Sequence, residues 1–383
     1  MRKTVTIGDL GIVITGKTPP TTNKNYYGDY AVFIKPTDIS EQSKFTYETE
    51  EMYSRLAAEK YESSLVPKGA ICVPCIGTIG TKMTMTHCDC YTNQSINSIV
   101  CNENFDNEYV YYLIKNFLPG LKAYNLGTAS GREYVSKSNF EKIELEVELD
   151  KDIQKRIGMF LSRYDSLIEN YQKQIKLLEE AAQRLYKEWF VDLHFPGHEN
   201  TKIVDGMPEG WEKRKIGNLI EKVKRSKQVP SSEYDNTGKI PIIDQSRNYI
   251  AGYTDDFDCR IELDVPAIIF GDHTRILKYI TFPFAKGADG TQLVVSNDLG
   301  RMPQSLFYHS LLNVDLSNYS YARHFKYLKE EEILLPTEQL ARHFDVIISV
   351  QYKAIQSYRD QIHLLTEARD RLLPKLMSGE IAV

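Results

Sequence analysis

The 383-residue chain has no apolar run approaching the 18 or so residues that a spanning helix needs. Its first residues, MRKTVTIGDLGIV, lack the long apolar stretch and small-residue cleavage site of a secretory leader. Together these absences predict a cytoplasmic protein. Cysteine is too sparse for a disulfide scaffold. There are six: Cys72, Cys75, Cys88, Cys90 and Cys101 lie close together and Cys259 stands alone, so reduced thiols are expected. An excess of positive charge is also missing. The net charge of −5 argues against a chain that coats nucleic acid, but it says little about any one face. The one dense basic run is Lys213, Arg214, Lys215, Lys222, Lys224, Arg225 and Lys227.

Catalytic signatures are scarce too. Gly11-x4-Gly16-Lys17-Thr18 fits a phosphate-cradling loop, but that chemistry needs a helix to start at Lys17-Thr18. Pro19 and Pro20 deny such a helix its first donors, so a basic loop touching phosphates is the expectation. Cys72-x2-Cys75 and Cys88-x-Cys90, beside His87, could supply four zinc ligands. The stretch ICVPC reads equally as a buried strand, in which cysteine is a small apolar residue. Base methylation would need a cofactor loop and an Asn/Asp-Pro-Pro-aromatic motif for a flipped base, and the sole Pro-Pro lies in KTPPTT. No G-x-S-x-G and no metal-protease histidine pair is present. The expectation is a chain without catalysis and without a metal.

What the sequence does contain is a repeat. A 4-3 alternation picks out Ile157, Leu161, Tyr164, Ile168, Tyr171, Ile175, Leu178, Ala182, Leu185 and Trp189, all apolar or aromatic. Adding 187 gives Phe344, Ile348, Gln351, Ile355, Tyr358, Ile362, Leu365, Arg369, Leu372 and Leu376, where only Gln351 and Arg369 break the pattern. Such a seam is the signature of a coiled coil. Identities such as Gln174/Gln361, Glu180/Glu367 and Arg184/Arg371 follow the same offset. Farther upstream, VTIGDL at 5–10 resembles RKIGNL at 214–219, and Arg132-x10-Ile143 resembles Arg323-x9-Ile333. The chain therefore reads as globular unit 1–150, long helix 151–190, globular unit 191–337 and long helix with tail 338–383. Residues 192–211 read as a linker. The globular units are strand-rich, with apolar runs at 31–34, 70–73, 240–243 and 267–270 and a short helix over 107–117. The fold class is α+β with a pseudo-two-fold internal repeat.

Each long helix should run about 58 Å at 1.5 Å per residue. Neither seam can stay in water, so the two helices are expected to pair with each other, antiparallel, with a globular unit at either end. That spacing is about 1.7 turns of B-DNA. The helices agree in sequence while the globular units differ, so the ends should read different things.

On these residues, above all QRLYKEWFVDLHFPG at 183–197, PEGWEKRKIGNL at 208–219 and RDRLLPKLMSGEI at 369–381, the whole chain resembles a specificity subunit of a Type I restriction-modification system. The resemblance implies two target-recognition domains alternating with two spacer helices. It also implies a noncatalytic subunit that reads a bipartite, asymmetric site on double-stranded DNA. The expected partners are two methyltransferase subunits, docked on the helices, and restriction-motor subunits. S-adenosylmethionine, ATP and magnesium would sit on those partners, with no cofactor on this chain and no membrane. DNA contacts should come from cations on phosphates and from polar side chains on base edges. In the first unit the candidates are Lys17, Thr18, Lys35, Thr37, Lys82, Asn93, Gln94 and Arg132, with the small-residue loop 127–132. In the second unit they are Lys227, Gln245, Ser246, Arg247, His273, Arg275, Gln292 and Arg323. Candidates for the docking helices are Tyr164, Tyr171, Trp189, Gln351, Tyr358 and Arg369. Two other readings stand beside this one, a coiled-coil scaffold without DNA specificity and a zinc-dependent enzyme.

Overall fold

The structure is a computed structural model that describes residues 2–77, 79–127, 131–223, 226–287, 290–319 and 323–383. Lys224, Arg225 and the centre of the 127–132 loop lie outside the described residues. The fold is α+β, and the chain divides into two compact units, Met1–Gln172 with Asp360–Val383, and Lys173–Arg359. Among the described residues no helix is long and apolar enough to cross a membrane.

The first unit opens with strand Arg2–Thr6, antiparallel to Glu144–Glu148. Thr6 and Asp9 then cap each other: the Asp9 amide donates to Thr6 Oγ1 at 3.2 Å and the Thr6 amide to Asp9 Oδ2 at 2.8 Å. That box starts the turn Ile7–Leu10, which buries Ile7 and Leu10. One sheet runs Gly11–Thr15, Ile96–Cys101, Ile71–Pro74, Thr84–Met85, and another runs Met52–Tyr53, Tyr27–Ile34, Tyr91–Thr92. The helix predicted at 107–117 is present as Asn107–Phe117, with Asp106 accepting from the Tyr109 amide at 3.0 Å. Its apolar side joins a core with Ile157, Leu161, Leu373, Leu376 and Met377 of the long helices. Buried Gln154 fixes the approach, donating to the Glu148 carbonyl at 2.7 Å and accepting from the Asp106 amide at 2.8 Å.

The second unit repeats this plan. Glu212–Lys215 pairs antiparallel with Glu332–Leu335. One sheet runs Gly252–Thr254, Ile240–Ile243, Phe284–Lys286, Arg260–Ile261, and another runs Leu277–Ile280, Ala267–Gly271, Thr291–Val294. In both units one pair of strands is parallel, Phe33–Ile34 with Tyr91–Thr92 and Ile242–Ile243 with Ala285–Lys286. Where the first unit adds strand Gly11–Thr15, the second has a single bridge, Ile220 to Ser296. The stretch read as a linker carries a two-strand hairpin, Ile203–Val204 with Met207–Pro208. It is held at both ends, because Phe195 and Trp211 are buried in the second core with ring centroids 5.2 Å apart. Aromatic burial here outweighs the proline and glycine content that made the segment read as open chain.

The first long helix is Lys151–Tyr186, its start capped by Asp150 Oδ1, which accepts from the amides of Asp152 and Ile153. It closes in a π-turn, Lys187–Val191. The second is Glu338–Ser378, ended by Gly379 at φ +75°. Each unit shows the antiparallel sense by itself. In the second unit Arg359 meets Glu179 at 2.8 Å, while Phe344 lies 6.2 Å from Tyr186 and His343 lies 5.2 Å from Trp189, centroid to centroid. In the first, Arg369 bonds Asp165, and Leu373 and Leu376 share a core with Leu161 and Ile157. All twenty seam positions are buried or half-buried. Asp165 and Tyr352, outside the seam, are buried as well. The helix of each globular unit covers them, so the contact is broader than a two-position seam.

Candidate nucleic-acid interface

In the first unit the strand register decides which loops share an edge. Thr15 pairs with Asn97 and Pro74 with Ile96, so the ends of Gly11–Thr15 and Ile71–Pro74 lie beside the start of Ile96–Cys101. Ile34 pairs with Thr92, and the Asn93 amide donates to the Ile34 carbonyl at 3.1 Å. One rim thus collects Lys17 and Thr18, Lys35 and Thr37, and Asn93 and Gln94. The Lys17 amide donates to the Thr92 carbonyl at 2.9 Å, and the Thr18 hydroxyl bonds the Gln94 amide oxygen. Lys82 lies in the connection that leaves Ile71–Pro74. Exposed Arg132 stands two residues before Tyr134, which bridges to Ile76.

Two tyrosines that sequence reasoning passed over hold this rim. Tyr53 donates its hydroxyl to the Lys17 carbonyl at 2.5 Å, and Tyr27 to the Pro19 carbonyl at 2.8 Å. Their only signal in the sequence is the abundance of tyrosine, 25 in all. Acidic groups temper the rim, since Lys35 Nζ contacts Glu50 at 2.6 Å and Glu51 at 3.3 Å. No helix starts at Lys17 or Thr18. The phosphate-loop reading therefore fails on geometry, because Gly11–Thr15 is a strand and the prolines continue it irregularly.

The second unit builds its rim from equivalent strand ends. Gly271 pairs with Thr291, and the Gly287 amide reaches the Ile243 carbonyl at 2.8 Å. Gln245, Ser246 and Arg247 follow Ile240–Ile243, His273 and Arg275 follow Ala267–Gly271, and Gln292 begins the neighbouring strand. The His273 amide donates to Gln245 Oε1 at 3.1 Å, and Thr274 Oγ1 to the Gln245 carbonyl at 2.7 Å. Arg275 is held at φ +61°, with its guanidinium on the Leu316 carbonyl at 3.2 Å. Left-handed backbone at an arginine is a local strain that this turn imposes. Arg323 joins through its neighbour, since the His324 amide donates to the Asp272 carbonyl at 2.9 Å. Lys227 does not join them. Its ammonium is committed to Asp256 at 2.6 Å on another loop.

Of the six helix residues named for docking, Trp189 and Arg369 are buried within their own units, and Tyr164, Tyr171, Gln351 and Tyr358 are half-buried. Trp189 turns inward because Phe344 and His343 offer aromatic partners. Arg369 turns inward to meet the Asp165 carboxylate. The large apolar side chains that do face outward are others, Met159, Leu167, Leu177, Val346, Val350 and Leu364. Two pairs among them, Met159/Val346 and Leu177/Leu364, are separated by the 187-residue offset.

Within the cysteine cluster Cys72, Cys75 and Cys90 are buried. Cys72 Sγ lies 3.2 Å from Ser98 Oγ and Cys75 Sγ donates to the Val73 carbonyl at 3.4 Å. Burial pushes both thiols up to about 12, which keeps them protonated at neutral pH. Cys88 touches His87 Nε2 at 3.3 Å, and among the described residues no three His, Cys, Asp or Glu side chains gather as metal ligands.

Three comparisons bear on this architecture. Residues 2–180 match the family described as the Type I restriction modification DNA specificity domain. The specificity subunit of the Type I restriction enzyme MjaIX of Methanocaldococcus jannaschii is 27% identical, covering 98% of this chain and 93% of the relative. That of the Haemophilus influenzae enzyme HindI is 34% identical over 43% of this chain and 36% of its own length. Among solved structures, the S subunit of a Type I system from M. genitalium superposes with a TM-score of 0.61 at 18% identity. It covers 98% of this chain and 96% of that one, and so shares the fold.

Proposed function

Since the chain belongs to the DNA specificity subunits of Type I restriction-modification systems, we propose that its two rims read the two halves of a split, asymmetric DNA site. The observation that carries this reading is the pairing of one strand plan with two different side-chain sets. Lysines supply most cations of the first set, beside Arg132, whereas Arg247, Arg275 and Arg323 supply those of the second beside His273; both carry amides, Asn93 and Gln94 against Gln245 and Gln292. Phosphate contacts position a protein and base-edge contacts specify sequence, so two unlike sets on two like scaffolds suit two unlike half-sites. In the first half Lys17 and Lys82 bind phosphate, while Thr18, Asn93 and Gln94 face base edges, with Lys35, Thr37 and Arg132 beside them. In the second, Gln245, Ser246, His273 and Gln292 face bases, and Arg247, Arg275 and Arg323 serve phosphate or guanine.

The subunit supplies no chemistry itself. Two methyltransferase subunits, carrying S-adenosylmethionine, methylate adenine N6, and motor subunits with ATP and magnesium cut unmodified DNA, all in the cytoplasm. The repeated outward pairs Met159/Val346 and Leu177/Leu364 offer the same apolar foothold twice, which suits two copies of one partner.

Long-read methylation sequencing of the source strain with and without this gene tests the reading. N6-methyladenine should vanish from one split motif when the gene is removed. An unchanged methylome, in cells where the chain co-purifies with an active methyltransferase subunit, overturns it.

A further inference from the structure

The internal repeat makes a prediction about its own contacts that the structure breaks at one place. Under the 187-residue offset Asp165 corresponds to Tyr352, and Arg369 corresponds to Ala182. In the first unit Asp165 and Arg369 form a buried ion pair, and the Tyr112 hydroxyl donates to the other Asp165 oxygen. Arg369 also holds the half-exposed Asp370 at 2.8 Å. In the second unit Ala182 and Tyr352 share an apolar core, with the Tyr352 hydroxyl 3.3 Å from His309 Nε2. Tyr112 and His309 come from corresponding short helices, Asn107–Phe117 and Gln304–Leu312. Two equivalent contacts are thus filled by incompatible chemistry.

We propose that the buried Asp165–Arg369 pair makes each long helix selective for the unlike helix, so that neither pairs with its own copy in a second chain. The reason is combinatorial. If the first helix met a copy of itself in this register, Asp165 would face Ala182 twice, leaving two buried carboxylates without the bonded guanidinium and only Lys115 in their field. If the second met a copy of itself, Arg369 would face Tyr352 twice, each guanidinium keeping only its own Asp370. Only the unlike pairing satisfies every position. Removing one partner of a buried pair costs far more than the intact pair contributes, which is what a selectivity device requires. A single polar position can set partner choice in coiled coils by the same logic. Without it, each helix could also pair with its own copy in a second chain.

The test uses full-length chains carrying two different tags, unfolded in urea, mixed, and refolded together at high concentration. Wild-type chains should give background co-capture. The triple variant Y112H/D165Y/R369A writes the second unit's set into the first, and it should stay folded while raising co-capture about five-fold or more. D165L/R369M, which removes both charges without importing the second set, should do the same and serves if the triple variant fails to fold. R369A alone leaves Asp165 unpaired in every arrangement, so it should lower the melting temperature without raising exchange. Folded charge-free variants that exchange no more than wild type overturn the proposal. So does wild-type chain that co-captures itself as strongly as they do.

Discussion

The two units run one backbone plan with different contents, and the difference falls in two places. On the rims, most cations of the first unit are lysines and those of the second are arginines beside a histidine, with amides on both. Beneath the short helices, Tyr112, Asp165 and Arg369 occupy the positions that His309, Tyr352 and Ala182 fill across the repeat. Strand register and helix pairing depend on alternation and seam spacing, which many sequences satisfy. Buried polar groups depend on one particular partner. A repeat can therefore keep its scaffold while its polar contacts diverge, and those contacts are where the proposed recognition and selectivity lie.

The sharpest way to separate the units is to remove one polar partner from each. Arg369→Ala strands the Asp165 carboxylate in the first core and should cost about 3–5 kcal/mol. Tyr352→Phe, at the position equivalent to Asp165, loses one neutral hydrogen bond and should cost about 1 kcal/mol. Urea unfolding of the full chain measures both, and similar losses would mean that the ion pair is not buried as described.

Acid should also tell the units apart. Burial pushes His309 down to about 4, so the folded second unit keeps it neutral while the unfolded chain protonates it near 6.5. The unfolded state binds more protons across that window. Stability is therefore lost as pH falls from 6.5 towards 4, by about 3 kcal/mol from this one group. Tyr112, its counterpart, is driven the other way by burial and the Asp165 carboxylate, and it contributes nothing in that range. The stability difference between wild type and His309→Gln should therefore depend on pH from 6.5 to 4. A difference that stays flat would show that His309 is charged when folded.

Much of this arrangement was legible in the sequence. The offset of 187, both long helices, their antiparallel pairing and the short helix at 107–117 rest on periodicity, which needs only residue type. The placement of most candidates at a sheet edge was legible because polar residues directly after apolar strand runs end up there. What stayed hidden depends on register between distant strands. Nothing near Lys227 in the sequence announces Asp256, 29 residues away, as its partner, and the Tyr53 and Tyr27 hydroxyls that fix Lys17 and Pro19 look like ordinary core residues. Arg369 read as a break in the seam because its partner, Asp165, lies 204 residues earlier in the chain.

Base-reading substitutions sharpen the comparison at the rims. Gln94→Ala should relax one position of one half-site, and Gln245→Ala one position of the other, each by about 1–3 kcal/mol of discrimination. Binding measured on duplexes varied one base at a time, with the partner subunits present, reads this directly. A substitution in one rim that altered the opposite half-site would break the assignment of one rim to each half.

The smallest effect separates two lysines that look alike in sequence. Lys17 is exposed on the first rim, with its backbone fixed by Thr92 and Tyr53 and no ion pair to its ammonium among the described residues. Lys227 is equally exposed, but Asp256 holds its ammonium at 2.6 Å away from the second rim. A lysine on a phosphate releases about one counterion, so Lys17→Ala should reduce the salt slope of DNA binding by about one. Lys227→Ala should leave the slope and the melting temperature unchanged, because an exposed ion pair contributes little and no phosphate is lost. Equal slopes for the two variants would return Lys227 to the interface. They would also mean that the Asp256 contact opens or is shared when DNA arrives, since an ammonium carries three donors.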